Sequence, residues 1–285
     1  MESEEGFNEG KVKYEQNKLK KRSSIIDQQI ECNIDDKSPI IQVFQNFQQE
    51  LDKRYDKYER LVKCSRDITI ESKRIIFLLH RITGDKEQIL QESEKRLKQL
   101  RRSTLRTVAK ELENEDLYFY LRAYSPGLQE YVEAVTFYNY IKNERLLGLE
   151  EIQSDLTYDE ETETIDGNHE IKRLKLVLVL PPLEYILGVA DLTGELMRKC
   201  INSVGQGNLE EPFKLCAFLQ NIHNAFGILG NIPGREISRK IFVLRQSMKK
   251  VENACYTIQV RGSEIPKFML KDVFNSETAT EQTFD

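Results

Sequence analysis

Pro39-Ile-Ile-Gln-Val-Phe-Gln-Asn-Phe-Gln-Gln-Glu-Leu51 opens the run whose spacing decides the fold. Apolar or small residues recur at Ile40, Phe44, Phe47, Leu51, Tyr55, Tyr58, Val62, Ser65, Thr69, Ser72, Ile76 and Leu79, in steps of three and four without a miss. That is the period of a helix with one apolar stripe. Ser38 is placed to cap it and Pro39 to occupy its first turn. The reading is one continuous helix to about Gly84, long enough for bundle or coiled-coil packing. Polar Ser65, Thr69 and Ser72 interrupt the stripe in mid-helix.

Downstream, the spacing predicts helices over about 85–112, 116–144, 181–205, 211–229 and 235–261, and a short one near 264–273. Ser125-Pro126-Gly127 is expected to kink or restart the third, since proline removes a donor and crowds the preceding turn. Residues 157–170 are acidic and turn-rich, and read as a mobile surface loop. Residues 171–180 read as a short extended segment, and Pro181-Pro182 opens the next helix. Gly227-Ile-Leu-Gly-Asn-Ile-Pro-Gly234 follows a helix and reads as a turn rather than a phosphate loop. Residues 1–37 are polar and expected to be disordered, and 275–285 form a loose tail. The expected architecture is all-α, a single-domain bundle of about seven helices with long N-terminal helices, over 38–274.

Composition narrows the function. The chain has 285 residues, 39% apolar and 31% charged, with a net charge of −5, so nucleic-acid binding would require local basic patches. Five scattered cysteines, including Cys200 and Cys255 in helices, lack zinc-type spacing and fit reduced thiols. The longest aliphatic run, Leu176-Val-Leu-Val-Leu180, is too short to cross a bilayer. Lys18, Lys20, Lys21 and Arg22 in the N-terminal tail are either a nuclear-import signal or a solvated charge run.

Two acidic pairs carry the chemistry. Glu130 and Glu133 are spaced i,i+3, and Asp191 and Glu195 i,i+4, so each pair shares a helix face. Their neighbours Leu128, Val132, Val135, Val189, Leu192 and Leu196 are core-like, and carboxylates set among core residues are costly unless something pairs with them. Four such groups suit a hard divalent cation such as Mg²⁺, and a cation there could activate water and polarise a phosphate. From spacing alone, paired carboxylates on helices are usually solvated.

Longer words around these pairs resemble the translin family, in its translin-associated (Trax) branch. They include Gly127-Leu-Gln-Glu-Tyr-Val-Glu-Ala134, Leu187-Gly-Val-Ala-Asp-Leu-Thr-Gly-Glu-Leu-Met-Arg198, Phe47-Gln-Gln-Glu-Leu-Asp52, Phe77-Leu-Leu-His-Arg-Ile-Thr83 and Val260-Arg-Gly-Ser-Glu-Ile-Pro-Lys267. The resemblance runs from about Pro39 to about Phe274. It implies an all-α bundle that pairs with translin in a closed hetero-oligomeric shell. It also implies Mg²⁺-dependent endoribonuclease activity, with Mn²⁺ as a possible substitute, on single-stranded or nicked RNA, as in passenger-strand removal during RISC activation and in tRNA processing. By motif, the catalytic acids fall on Glu130, Glu133, Asp191 and Glu195, all present here. Glu133 and Asp191 are the expected direct ligands; Glu130 and Glu195 are ligands, water-orienting groups or the general base. Cytoplasmic and nuclear residence and no membrane attachment are expected. The alternative is a non-catalytic subunit that stabilises translin and carries it into the nucleus, its carboxylates only satisfying buried basic groups.

Three further features have two readings. Glu184 lies two turns before Asp191 and either joins the outer shell of the site or is a solvated first-turn acid. His80, His169 and His223 are isolated and read as structural or exposed rather than catalytic. The stretch from Lys95 to Lys110 has no acidic residue. Leu97, Leu100, Thr104, Val108 and Leu112 are expected to face the core, leaving Lys95, Lys98, Arg101, Arg102 and Arg106 either to contact RNA phosphates or to be solvated.

Overall fold

Ser38 and Pro39 begin the first helix, and the Ser38 carbonyl accepts from the Gln42 N–H at 3.1 Å. The computed structural model describes residues 38–82, 85–163, 171–230, 232 and 234–261. Seven helices stand among them: α1 Pro39–His80; α2, running through Lys86–Leu100, Arg101–Leu105 and Arg106–Glu111; α3 Leu117–Asn143; α4 Leu149–Asp155; α5 Pro182–Gly205; α6 Glu211–Ile228; and α7 Arg235–Arg261. The all-α bundle expected from the periodicity is observed, with one small hairpin added. The basic tail with Lys18, Lys20, Lys21 and Arg22, His169, the short helix near 264–273 and the tail from 275 lie outside the described residues.

The chain forms two compact units that divide inside α1, between Lys57 and Tyr58. In the first unit the stripe faces water: Ile40, Phe44, Phe47, Leu51 and Tyr55 are all more than half exposed. The Phe44 and Phe47 rings meet edge to face, with centroids 6.4 Å apart. In the second unit the face of α1 that is buried runs through Leu61, Ser65, Ile68, Ser72, Ile75, Ile76 and Leu79. It departs from the expected stripe at Leu61, Ile68 and Ile75, because the stripe drifts around a helix of 3.6 residues per turn.

The middle of the second unit is α3, every residue of which from Tyr131 to Ile141 is buried. A helix apolar all round belongs inside a bundle. Pro126 lies inside one unbroken helical span, so the helix does not restart there. Ser65 explains why: its hydroxyl accepts from the Gly127 N–H at 2.9 Å and reaches the Tyr124 carbonyl at 3.5 Å. A polar residue in the apolar stripe of α1 thus satisfies the backbone that proline disturbs. A Cβ on Gly127 would meet the Ser65 carbonyl oxygen at 2.6 Å, so only glycine allows this approach.

In α2, Arg101–Leu105 is a π turn. The wider turn shifts the inward face, so Leu105 is buried in place of the expected Thr104, and Val108 returns to the core. Part of the expected mobile loop is a strand, and residues 164–170 lie outside the described residues. Thr157–Glu163 (β1) pairs antiparallel with Ile171–Val177 (β2), and Asp159 faces Lys175. An acidic strand is matched to a basic one, a cross-strand complement invisible in either segment alone. Beyond it, Leu176, Leu178 and Leu180 are buried while Val177 and Val179 are exposed, the period of a strand. Gln153 of α4 anchors this segment, donating to the Leu178 carbonyl at 3.0 Å and accepting from the Leu180 N–H at 2.8 Å.

Candidate active site

The backbones of α3 and α5 approach closely at Gly188, where a Cβ would stand 2.7 Å from Val132 and 2.8 Å from the Gln129 carbonyl. A glycine one turn before Asp191 therefore lets the two helices that carry the acidic pairs meet. Their carboxylates open into one cleft of about 930 Å³, lined by Glu130, Glu133, Asp191 and Glu195 from α3 and α5. Helices α1 and α7 complete the wall with Lys73, Phe77, Arg235, Arg239 and Lys240. All four acids expected from the sequence are thus brought to one site.

Each acid has a distinct environment. Glu133 is buried, and burial, followed by repulsion from Asp191, Glu130 and Glu195, pushes its pKa up to about 8. Burial also raises Asp191, against the opposing pull of Lys240, whose Nζ stands 2.7 Å from Asp191 Oδ2. Glu130 Oε1 takes Lys73 Nζ at 3.0 Å, and its Oε2 is buried without a hydrogen-bond partner. The hydrogen bond to Glu130 raises the Lys73 pKa. Glu195 Oε2 lies 2.5 Å from His80 Nε2 and 3.4 Å from Arg198. His80 is therefore a part-buried partner of a site acid, its ring tilted against that of Phe137 with centroids 4.8 Å apart, and not an isolated residue. Only the fold joins positions 80 and 195.

Behind Asp191 lies a polar chain. Lys240 Nζ also donates to Gln129 Oε1 at 2.6 Å and the Leu187 carbonyl at 3.3 Å. Gln129 Nε2 donates to Glu184 Oε2 at 2.7 Å, and Ser125 Oγ donates to the same oxygen at 2.5 Å. Glu184 is buried, which corrects the solvated reading: it anchors the residue that orients Lys240. Gln129 and Lys240 carried no sequence signal of their own, although Gln129 adjoins the first acidic pair.

The donor set is suited to a hard cation: carboxylate oxygens only, one buried oxygen lacking a partner, and one carboxyl whose pKa is raised by burial and then by its acidic neighbours. In this structure the acids are paired with Lys73, Lys240 and His80, and no three metal-type side chains converge in ligating positions among the described residues.

The basic face of α2 lies elsewhere. Lys95, Lys98 and Arg102 line a shallow depression with Gln91, Glu94, Gln99 and Ser103. Lys98 pairs with Glu94 at 2.7 Å. Arg101 departs from the expectation: its guanidinium is bound to Asp155 and only 15% exposed, because the π turn rotates it towards α4. Arg106 is half-buried. No helix among the described residues is long and apolar enough to cross a membrane.

Comparison with known proteins agrees with this architecture. The model of the translin family matches residues 56–262. The chain is 53% identical to mouse translin-associated protein X over 85% of its own length and 86% of that protein's. It is 29% identical to the fission-yeast translin-associated protein X homolog over 78% of its length and 87% of the homolog's. A solved structure of AfC3PO with duplex RNA shares the fold, with a TM-score of 0.55 and 21% identity, over 78% of this chain and 99% of that one. This chain belongs to the translin family.

Proposed function

We propose that this chain is the catalytic subunit of a Mg²⁺-dependent endoribonuclease that works in a hetero-oligomeric shell with translin. Its substrate is single-stranded or nicked RNA, as in passenger-strand removal or tRNA processing. The observation that carries the reading is the buried carboxyl of Glu133, set among three more carboxylates at the floor of a cleft rimmed by cations. The kinship to translin-associated protein X and the likeness in fold to an RNA-bound C3PO support it.

Glu133 and Asp191 would hold the cation, with Glu130 and Glu195 completing its shell, and Mn²⁺ would substitute. When bound, the metal supplies an activated water and charge neutralisation at the phosphate. Glu195, paired with His80, would take the proton, and Lys240, paired with Asp191, would hold it in position. Residence in cytoplasm and nucleus belongs to the same proposal.

The test is cleavage of single-stranded RNA by the chain co-expressed with translin, in Mg²⁺ and in EDTA. Mg²⁺-dependent cleavage that Asp191→Asn or Glu133→Gln abolishes, with assembly and RNA binding preserved, is the expected result. Equal activity in wild type and Asp191→Asn would place the nuclease elsewhere. One observation favours a second reading, a non-catalytic assembly and import subunit: each of Glu130, Asp191 and Glu195 already has a basic partner. No cleavage by any form of the complex would favour it.

A further inference from the structure

The cleft has an apolar feature that its acid chemistry does not use. Phe77, one turn after Lys73 on α1, lines the cleft and is 65% exposed, and Val243 of α7 lines it at 53% exposure. Buried Ile76 beside it serves the core, so the helix is anchored without the Phe77 ring. An aromatic side chain left in water beside charged groups gains nothing from folding. The same cleft is lined by Lys73, Arg198, Arg235 and Arg239, all exposed, with Glu236 the one exposed acid among them. Arg235 and Arg239 have no acidic partner among the described residues, whereas the floor is acidic. A polyanion is thus attracted to the rim and repelled from the floor, except where a cation bridges it.

We infer that Phe77 is a stacking platform for one unstacked base of a single RNA strand, whose phosphates are held by Arg198, Arg235 and Arg239 on the rim. The inference rests on the ribonuclease reading and adds its selectivity. Every base has a π-face, so a lone ring binds without reading sequence. A base inside an intact duplex is stacked on its own neighbours and cannot reach the ring without paying to unstack. A loose strand, or the flanks of a nick, can. The occupant is a nucleic acid rather than an apolar protein segment because the ring shares its cleft with the guanidinium groups of Arg198, Arg235 and Arg239, which suit phosphates and stack on bases.

The test uses the full chain assembled with translin, in EDTA, and a fluorescent single-stranded RNA with 2′-O-methyl sugars. Phe77→Ala is expected to weaken binding about tenfold, and Phe77→Tyr to retain it. Abasic substitutions moved along the strand should find one position that weakens binding to wild type and has no effect on Phe77→Ala. Equal binding by wild type and Phe77→Ala would overturn the subsite. So would failure of Phe77→Ala to assemble, which would make the ring a contact with another subunit. Cleavage in Mg²⁺ without a Phe77 effect would sink the subsite and leave the nuclease reading standing. A Phe77 effect without any cleavage would keep the subsite and sink the nuclease reading.

Discussion

Lys240 Nζ lies 2.7 Å from Asp191 Oδ2 and 2.6 Å from Gln129 Oε1, which places an ammonium group where the α3 and α5 carboxylates meet. The lysine comes from α7, far along the chain, and the buried Glu184 fixes the glutamine that orients it. In the absence of a metal this cation offsets part of the repulsion among four acids.

Lys240→Met should therefore destabilise the metal-free chain by about 1–3 kcal/mol, the range for losing a hydrogen bond to a charged group. Saturating Mg²⁺ should narrow that gap, because the metal would neutralise Asp191 instead. Denaturant unfolding of both forms with and without Mg²⁺ measures this. An unchanged gap would mean that Lys240 and the metal do not share Asp191.

Glu133 predicts a pH dependence. Its carboxyl titrates near 4.5 when unfolded and at about 8 when folded. Between those values the native state keeps a proton that the unfolded state has released, so stability falls as pH rises from 4.5 to 8 and levels off above. Asp191, also raised, contributes in the same direction. In EDTA, Glu133→Gln should flatten this slope, as followed by unfolding midpoints across the window. A slope untouched by the substitution would assign it to another group.

Metal binding should show the opposite trend. Proton and cation compete for Glu133, so the Mg²⁺-induced rise in stability should grow from pH 6 to pH 8. At a metal concentration of about 100 times Kd the gain should be about 2.7 kcal/mol. Glu133→Gln and Asp191→Asn should each lose most of it. Calorimetric scans with Mg²⁺ or Mn²⁺ settle the point, and equal shifts in all three proteins would move the metal away from these acids.

Gly188→Ala should act through geometry. Its Cβ would stand 2.7 Å from Val132, forcing α3 and α5 apart. A loss of about 1–3 kcal/mol is expected, as for other overpacked contacts. RNA cleavage should fall further than stability alone explains, since Asp191 moves relative to Glu133. Full cleavage by a folded Gly188→Ala complex would show that the helix spacing is not critical.

Much was legible in the chain itself. The three-and-four spacing from Ile40 to Leu79 determines a long helix, and the i,i+3 and i,i+4 acids determine two carboxylate faces set among core residues. Local backbone geometry alone dictates both, because helical period depends on near neighbours. The tertiary structure decided which parts of the stripe are buried, that Thr157–Glu163 is a strand, and that Pro126 sits inside a helix repaired by Ser65. It also decided the partners of the acids: Lys73 and His80 from α1, and Lys240 from α7. Those pairings depend on helices remote in sequence packing side by side, and no local periodicity records which distant charge will face a given carboxylate.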